Sequence, residues 1–119
     1  MPTFRKFEDI VVWQKARKAT HSVYSITRTG IFSRDFGLRD QLRKASVSVM
    51  ANIAEGFGRR SDKEFANFLN IARGSAAECQ SHLYVSLDLG YIATEEFESL
   101  YEAFEECSKM IMALIRHLR

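Results

Sequence analysis

The sequence predicts an all-α protein: an up-down-up-down antiparallel four-helix bundle that forms a single domain from residue 1 to residue 119. Four segments repeat apolar residues at steps of three and four, which is the spacing of one helix face. The only proline is Pro2, so no proline ring interrupts a helix further along the chain. The connections between the segments are about five residues long, and short connections favour antiparallel neighbours.

The first two helices are predicted over about residues 9–29 and 35–56. Asp9 places negative charge at the start of the first helix, where the helix dipole favours it, and Gly30 is suited to its end. Ser33 or Asp35 is expected to cap the second helix, which is predicted to stop at Gly56. The apolar stripes are Trp13, Ala16, Thr20, Val23 and Thr27 in the first helix, and Leu38, Leu42, Ala45, Val49 and Ile53 in the second.

The third helix is predicted over about residues 62–89, between a cap at Ser61 and a terminating Gly90. Ser61 and Glu64 have the spacing of a capping box, in which each side chain accepts a hydrogen bond from a free backbone N–H. Its apolar stripe comprises Phe65, Phe68, Leu69, Ala72, Ala76, Cys79, Leu83 and Leu87.

The fourth helix is predicted over about residues 95–117, with Thr94 as its cap. Its apolar residues alternate steps of three and four, which gives a period of about 3.5 residues. They are Phe97, Leu100, Phe104, Cys107, Ile111, Leu114 and Leu118. Arg116, His117 and Arg119 are expected to complement the dipole at its C-terminus.

The predicted helices carry more apolar residues than these stripes use. Because one small bundle cannot bury them all, they favour self-association. The surplus residues are Ile10, Val12, Val47, Met50, Tyr84, Val85, Tyr101, Met110, Met112 and Ile115.

The sequence argues against an enzyme, a cofactor and a metal. Glu78 and His82 are four residues apart and occur once, whereas a di-metal bundle uses Glu-x-x-His on two helices. Cys79 and Cys107 fall on core stripes and are expected to be reduced thiols. No segment resembles a signal peptide or is long and apolar enough for a membrane span, so we expect a cytoplasmic protein that does not bind membranes.

The net charge of +2 hides an uneven distribution. Residues 1–60 hold 12 Lys or Arg against 5 Asp or Glu, whereas residues 81–119 hold 3 against 7. A basic half suits an anionic partner such as RNA or DNA, since Lys and Arg neutralise phosphates without reading sequence. The alternative is that the basic face pairs with acidic residues, either of the fourth helix of a neighbouring subunit or of an acidic partner protein. The candidate phosphate contacts are Arg39, Arg43, Lys44, Arg59, Arg60 and Lys63, with Lys15 and Lys18 secondary.

Several polar or small residues lie on or beside the apolar stripes around the junction of the second and third helices. A polar group that is buried there needs a hydrogen-bond partner, and a glycine within a helix usually has a packing reason. We therefore predict that these residues form a structural network that holds the two helices together. They are Asn52, Glu55, Gly56, Arg73, Gly74, Ser75 and Glu78.

Five motifs follow one another along the chain: F-x-x-x-x-V-W-Q-K-A from Phe7, L-R-D-Q-L-R-K-A-S-x-S-V from Leu38, A-N-I-A-E-G from Ala51, F-L-x-I-A-R-G-S-x-x-E from Phe68, and Gly90-Tyr91-Ile92. With these motifs in order, nearly the whole chain resembles the four-helix-bundle proteins related to the 23S ribosomal RNA intervening-sequence protein. A further group of that kind comprises the accessory proteins of diversity-generating retroelements.

The resemblance implies a bacterial protein without enzymatic activity that assembles as a homopentamer around a central channel. It also implies that a basic pentamer engages nucleic acid in the retroelement group. We therefore expect a homo-oligomeric bundle of unknown biological role that binds RNA or DNA non-specifically.

Overall fold

A computed structural model describes residues 4–118, which form four α-helices and no strand. The helices are α1 (Val11–Thr27), α2 (Phe36–Phe57), α3 (Asp62–Asp88) and α4 (Thr94–Leu118). Each helix packs against the next along the chain, and α4 also packs against α1, so the four helices enclose one core. This confirms the predicted all-α, up-down-up-down antiparallel bundle. Pro2 and Arg119 lie outside the described residues.

Two helix starts, those of α1 and α4, differ from prediction because side chains bond the backbone differently, whereas Ser61 caps α3 as predicted. Asp9 closes a 3-10 turn by accepting hydrogen bonds from the N–H groups of Arg5 and Lys6, so α1 begins only at Val11. Ser61 caps α3 by accepting from Glu64 N, at 3.3 Å. α4 includes Thr94 instead of being capped by it, and Glu96 accepts the N–H of Ala93.

The α2–α3 junction also differs from prediction. Gly56 does not end α2, which continues to Phe57. Gly56 is instead buried where α2 crosses α3, with Phe65 and Phe68 against it. Its lack of a side chain therefore lets the two backbones approach.

The core follows most of the predicted stripes, but Trp13, Leu38, Phe68 and Leu87 are only half-buried, and the end of α4 departs from its stripe. Residues Phe97 to Ile111 of the stripe are buried, but the next buried residue is Ile115 instead of Leu114 or Leu118. A straight helix has 3.6 residues per turn, so a strict 3.5-residue pattern rotates away from the core over five turns. Ile10, Val12 and Ile115 were predicted as surplus but are core residues.

Other surplus residues remain at the surface, among them Val47 (40% exposed), Tyr84 (50%), Val85 (43%) and Met112 (40%). In residues 4–118 there is no helix with the combination of length and apolar character that crossing a membrane requires.

Candidate nucleic-acid interface

The predicted phosphate contacts do not form one patch. Arg39, Arg43 and Lys44 lie in the first half of α2, whereas Arg59, Arg60 and Lys63 lie beyond its other end. The 16 residues from Arg43 to Arg59 correspond to about 24 Å along a helix. The two groups therefore occupy different parts of a bundle whose longest extent is 44 Å.

Arg39 is held at the start of α2 by three interactions. Its Nε donates to Asp40 Oδ1 at 2.8 Å, and its Nη1 donates to the carbonyl of Ser33 at 3.0 Å. Its Cζ lies 4.8 Å from the centroid of the Phe36 ring. The hydrogen bond from Arg39 lowers the pKa of the Asp40 carboxyl. Asp40 thus pairs with Arg39 and not with Lys44, which is exposed.

Arg43 connects α2 to α1. Its Nε donates to Thr27 Oγ1 at 2.8 Å, and its Cζ lies 4.6 Å from the centroid of the Tyr24 ring. Thr27 is fully buried and donates its own hydroxyl to the carbonyl of Val23, at 2.8 Å. The Nε–H group of Arg43 therefore stabilises the packing of α2 against α1. The N–H donors of its two Nη atoms remain for other partners.

The predicted residues beyond the end of α2 differ in their contacts. Arg59 bonds Glu55 Oε1 at 3.2 Å, and its Cζ lies 4.9 Å from the centroid of the Phe68 ring. Arg60 is exposed with φ +64°, and Lys63 is exposed in the first turn of α3. Neither Arg60 nor Lys63 forms an ion pair within residues 4–118.

The predicted lysines of α1 lie towards α4. Lys15 pairs with Glu106 at 3.2 Å. Lys15 and Lys18 both line a shallow cavity of about 200 Å³ between α1 and α4, together with Ser22 and Ser99. These two lysines are therefore separate from the arginines of α2 that contact α1.

Sequence reasoning missed Arg17 and Arg28. Arg17, Tyr24 and Arg28 are spaced by seven and four residues and share one side of α1. Tyr24 contacts Arg43, so this side of α1 faces α2. Arg17, Arg28, Arg39 and Arg43 together define the α1–α2 basic face. The signal for it was available, because residues 10–34 contain no Asp or Glu at all.

Aromatic rings support three arginines of this face. Arg39 and Arg43 lie over Phe36 and Tyr24, and the Cζ of Arg17 lies 5.9 Å from the centroid of the Trp13 ring. Such stacking attracts the cation to the ring face and limits the motion of a long side chain. The ring faces that are covered in this way are not available to stack on nucleic-acid bases.

The predicted polar network is divided into separate groups. Ser48 joins Asn52 to Ser75, since Asn52 Nδ2 bonds the Ser48 hydroxyl at 3.0 Å and the hydroxyls of Ser48 and Ser75 lie 2.8 Å apart. Glu55 pairs with Arg59 and Glu78 with His82, each within its own helix or its adjoining loop. The structure therefore does not contain the predicted single network of these residues.

Two members of the predicted network have no such partner. Arg73 makes no side-chain hydrogen bond or ion pair among the described residues. Gly74 is exposed, and a Cβ added there would meet no atom within 4 Å. Packing within the chain thus explains Gly56 but not Gly74.

The two cysteines have the environment of core residues. Both are fully buried, in α3 and α4, and neither is in a disulfide. Burial raises the pKa of the Cys107 thiol to about 11, and it raises the pKa of Cys79 as well. Both thiols stay protonated at neutral pH, whereas a nucleophilic cysteine needs the thiolate. Within residues 4–118 no group of three His, Cys, Asp or Glu side chains is arranged to hold a metal ion.

Comparisons with known proteins agree with the fold. The family model described as 23S rRNA-intervening sequence protein matches residues 8–113. A crystal structure from Bacteroides thetaiotaomicron, described as a protein of unknown function from the S23 ribosomal protein family, superposes with a TM-score of 0.81. The two sequences are 26% identical, over 88% of this chain and 98% of that one. No curated protein matches.

Proposed function

The chain belongs to the 23S rRNA-intervening sequence protein family, and we propose that it is a non-enzymatic, cytoplasmic, homo-oligomeric bundle that binds RNA or DNA non-specifically. The observation that carries the proposal is the α1–α2 basic face, where rings support Arg17, Arg39 and Arg43. Among the residues predicted from the sequence, Lys44 extends this surface on α2, whereas Lys18 offers a separate contact on the side of α1 that faces α4. Arg59, Arg60 and Lys63 provide a second contact at the far end of the bundle, and Lys15 contributes least because it is paired.

The chemistry of this face favours contacts with the phosphate backbone. Guanidinium groups bind phosphate oxygens through two parallel N–H donors, and they remain charged at every relevant pH. Proteins that grip single strands add exposed aromatic rings on which bases stack. Because arginines cover the rings of this face, we propose a duplex as the preferred ligand.

Salt dependence tests this function. For four phosphate contacts, the affinity of the protein for a fluorescein-labelled RNA duplex of 30 base pairs is expected to fall about 50-fold between 50 and 150 mM salt. Fluorescence anisotropy measures this, with a single strand of the same length as the comparison. Absence of binding at 50 mM salt would rule the function out.

We propose that copies of the chain associate through the outward side of the α2–α3 pair. Val47 and Ile71 are 40% and 52% exposed there; Val47 directly precedes Ser48, and Ile71 lies one helical turn before Ser75, which Ser48 bonds. Gly74 lies on the same stretch of α3 with open space above it. A glycine at this place suits the close approach of another backbone, which supports the homopentamer implied by the family resemblance.

Replacing Gly74 with alanine is expected to have two opposite effects. The isolated protomer should gain about 1 kcal/mol, because alanine favours a helix and the added Cβ meets nothing. Self-association should weaken by about tenfold, since a helix–helix contact through glycine tolerates little extra volume. Melting curves at low concentration and sedimentation equilibrium measure the two quantities.

Gly37→Ala is the matched control for this change. A Cβ at position 37 would lie 3.9 Å from Asp35 Oδ1, in ordinary contact, and the residue is at the other end of α2 from the junction with α3. It should change stability without changing the oligomeric state. If Gly74→Ala leaves self-association equally unchanged, the proposed contact surface is wrong.

A protein-interaction scaffold is the second candidate function. The pairing of Lys15 with Glu106 supports it, because basic α1 and acidic α4 already attract each other within one protomer. The same attraction between subunits, or with an acidic partner protein, would neutralise the basic face. In that case charge reversal in α2 lowers the oligomeric state while affinity for nucleic acid stays negligible.

A further inference from the structure

Three aromatic rings meet on the side of the bundle formed by the end of α3 and the start of α4. The ring centroid of Tyr84 lies 4.8 Å from that of Phe97 and 5.8 Å from that of Tyr101. The centroids of Phe97 and Tyr101 are 5.6 Å apart. Phe97 is buried beneath the other two, whereas the Tyr84 side chain is 50% exposed. A large aromatic residue is thus half exposed on the surface of the α3–α4 pair.

Three carboxylates of α4 lie on the same side of the bundle as this aromatic cluster. Glu98, Glu102 and Glu105 follow α4 at steps of four and three, on the side that carries Tyr101. Glu105 Oε1 accepts a hydrogen bond of 3.0 Å from Gln80 Nε2, which also donates to the carbonyl of Tyr101 at 3.3 Å. Gln80 therefore fixes one carboxylate beside the tyrosine. These three glutamates form no ion pair within the part of the chain that the structure describes.

The surroundings of Tyr101 change the pKa of its phenol. Partial burial, followed by the proximity of Tyr84, Glu105 and Glu102, raises the pKa of the Tyr101 phenol. Negative charge beside a phenol disfavours the phenolate, and the same field favours an added cation. The patch formed by Tyr84, Phe97, Tyr101, Glu98, Glu102 and Glu105 is termed the aromatic–acidic patch.

We propose that the aromatic–acidic patch binds arginine side chains presented by a basic segment of another protein. An open ring face with carboxylates at its edge matches a guanidinium, which stacks on the ring while its N–H groups bond the carboxylates. Nucleic acid is repelled by the three glutamates. Because the patch is an open surface, several cations on one polypeptide are needed for a stable contact.

Charge complementarity calls for a basic partner, and the stacking of the chain's own arginines favours a partner protein over a second copy of the chain. Three arginines of the basic face, Arg17, Arg39 and Arg43, already stack on rings of their own protomer. A guanidinium that occupies one ring must leave it before it stacks on another. The partner's segment is therefore rich in free arginine, and its binding is independent of the proposed binding of nucleic acid.

A labelled peptide tests the proposal. A fluorescein-labelled nonapeptide with alternating arginine and glycine should bind the full chain about fivefold more tightly than the matched lysine peptide, because a guanidinium both stacks and forms paired hydrogen bonds. Tyr84→Ala should weaken the arginine peptide by about fivefold or more and remove the preference over lysine. Glu102→Gln should weaken it by about threefold. All three measurements use fluorescence anisotropy.

Neighbouring residues provide the controls. Val85→Ala removes an exposed side chain beside Tyr84, and Glu95→Gln removes an exposed carboxylate of α4 away from the rings; both should bind the peptide like the wild type. Affinity for duplex RNA should be retained in Tyr84→Ala, which separates this site from the basic face. Equal binding of the two peptides, or equal losses in the control variants, would overturn the proposal. So would a changed oligomeric state in Tyr84→Ala with peptide binding intact, because the patch would then contact a second copy.

Discussion

Replacing Gly56 with alanine is expected to destabilise the bundle by about 3 kcal/mol. A Cβ at position 56 would lie 2.6 Å from Phe68 Cβ, 3.2 Å from Phe65 Cδ1 and 3.3 Å from the Phe65 carbonyl oxygen. These neighbours belong to α3, and one contact is with its backbone, so relief requires the two helices to separate. The melting temperature should fall by about 10 °C, as measured by circular dichroism at 222 nm.

Gly58→Ala is the control, two residues further along the chain. Gly58 has φ −70°, which any residue adopts, and a Cβ there would lie 3.5 Å from the Glu55 carbonyl oxygen. Its effect on stability should remain within about 0.5 kcal/mol. If the two alanine variants melt at the same temperature, close approach of α2 and α3 is not the reason for glycine at position 56.

The contrast between these glycines shows why the fold could be predicted from the sequence, whereas the packing at the α2–α3 junction could not. Apolar periodicity places the core of each helix, because it depends only on residues within that helix. The role of Gly56 depends on which residue of α3 lies opposite, and that follows from packing between helices. Ile115 gives the same lesson, since the pattern predicted Leu114 until the rotation of a straight helix was taken into account.

The candidate site divides in the same way. That the first half of the chain is basic follows from counting, and Arg39 and Arg43 were predicted from it. The side chains that contact these two arginines were not predicted. Thr27 and Tyr24, which contact Arg43, belong to another helix, and the contact of Phe36 with Arg39 depends on the orientation of the ring. Arg17 and Arg28 were not predicted, because a few cations on the exposed side of one helix are ordinary. Their position beside Arg39 and Arg43 follows only from the packing of α1 against α2.

Reversing Arg17 and Arg28 together to glutamate is expected to weaken binding of the RNA duplex about 100-fold at 100 mM salt. Each arginine that no longer contacts a phosphate lowers the steepness of the salt dependence by about one, and each new carboxylate adds repulsion. Both residues are exposed, so the fold should persist. Anisotropy titrations from 50 to 200 mM salt measure the affinity and the slope together.

Lys109→Glu with Arg116→Glu gives the same change in net charge from exposed positions of α4. This control should weaken binding by less than about tenfold, since its effect comes only from the overall charge of the protein. If the two double variants lose affinity equally, the protein attracts nucleic acid through its overall charge, and the α1–α2 face is not the binding surface. A tenfold or greater difference between them assigns the contact to the side of the bundle on which Arg39 and Arg43 stand over their rings.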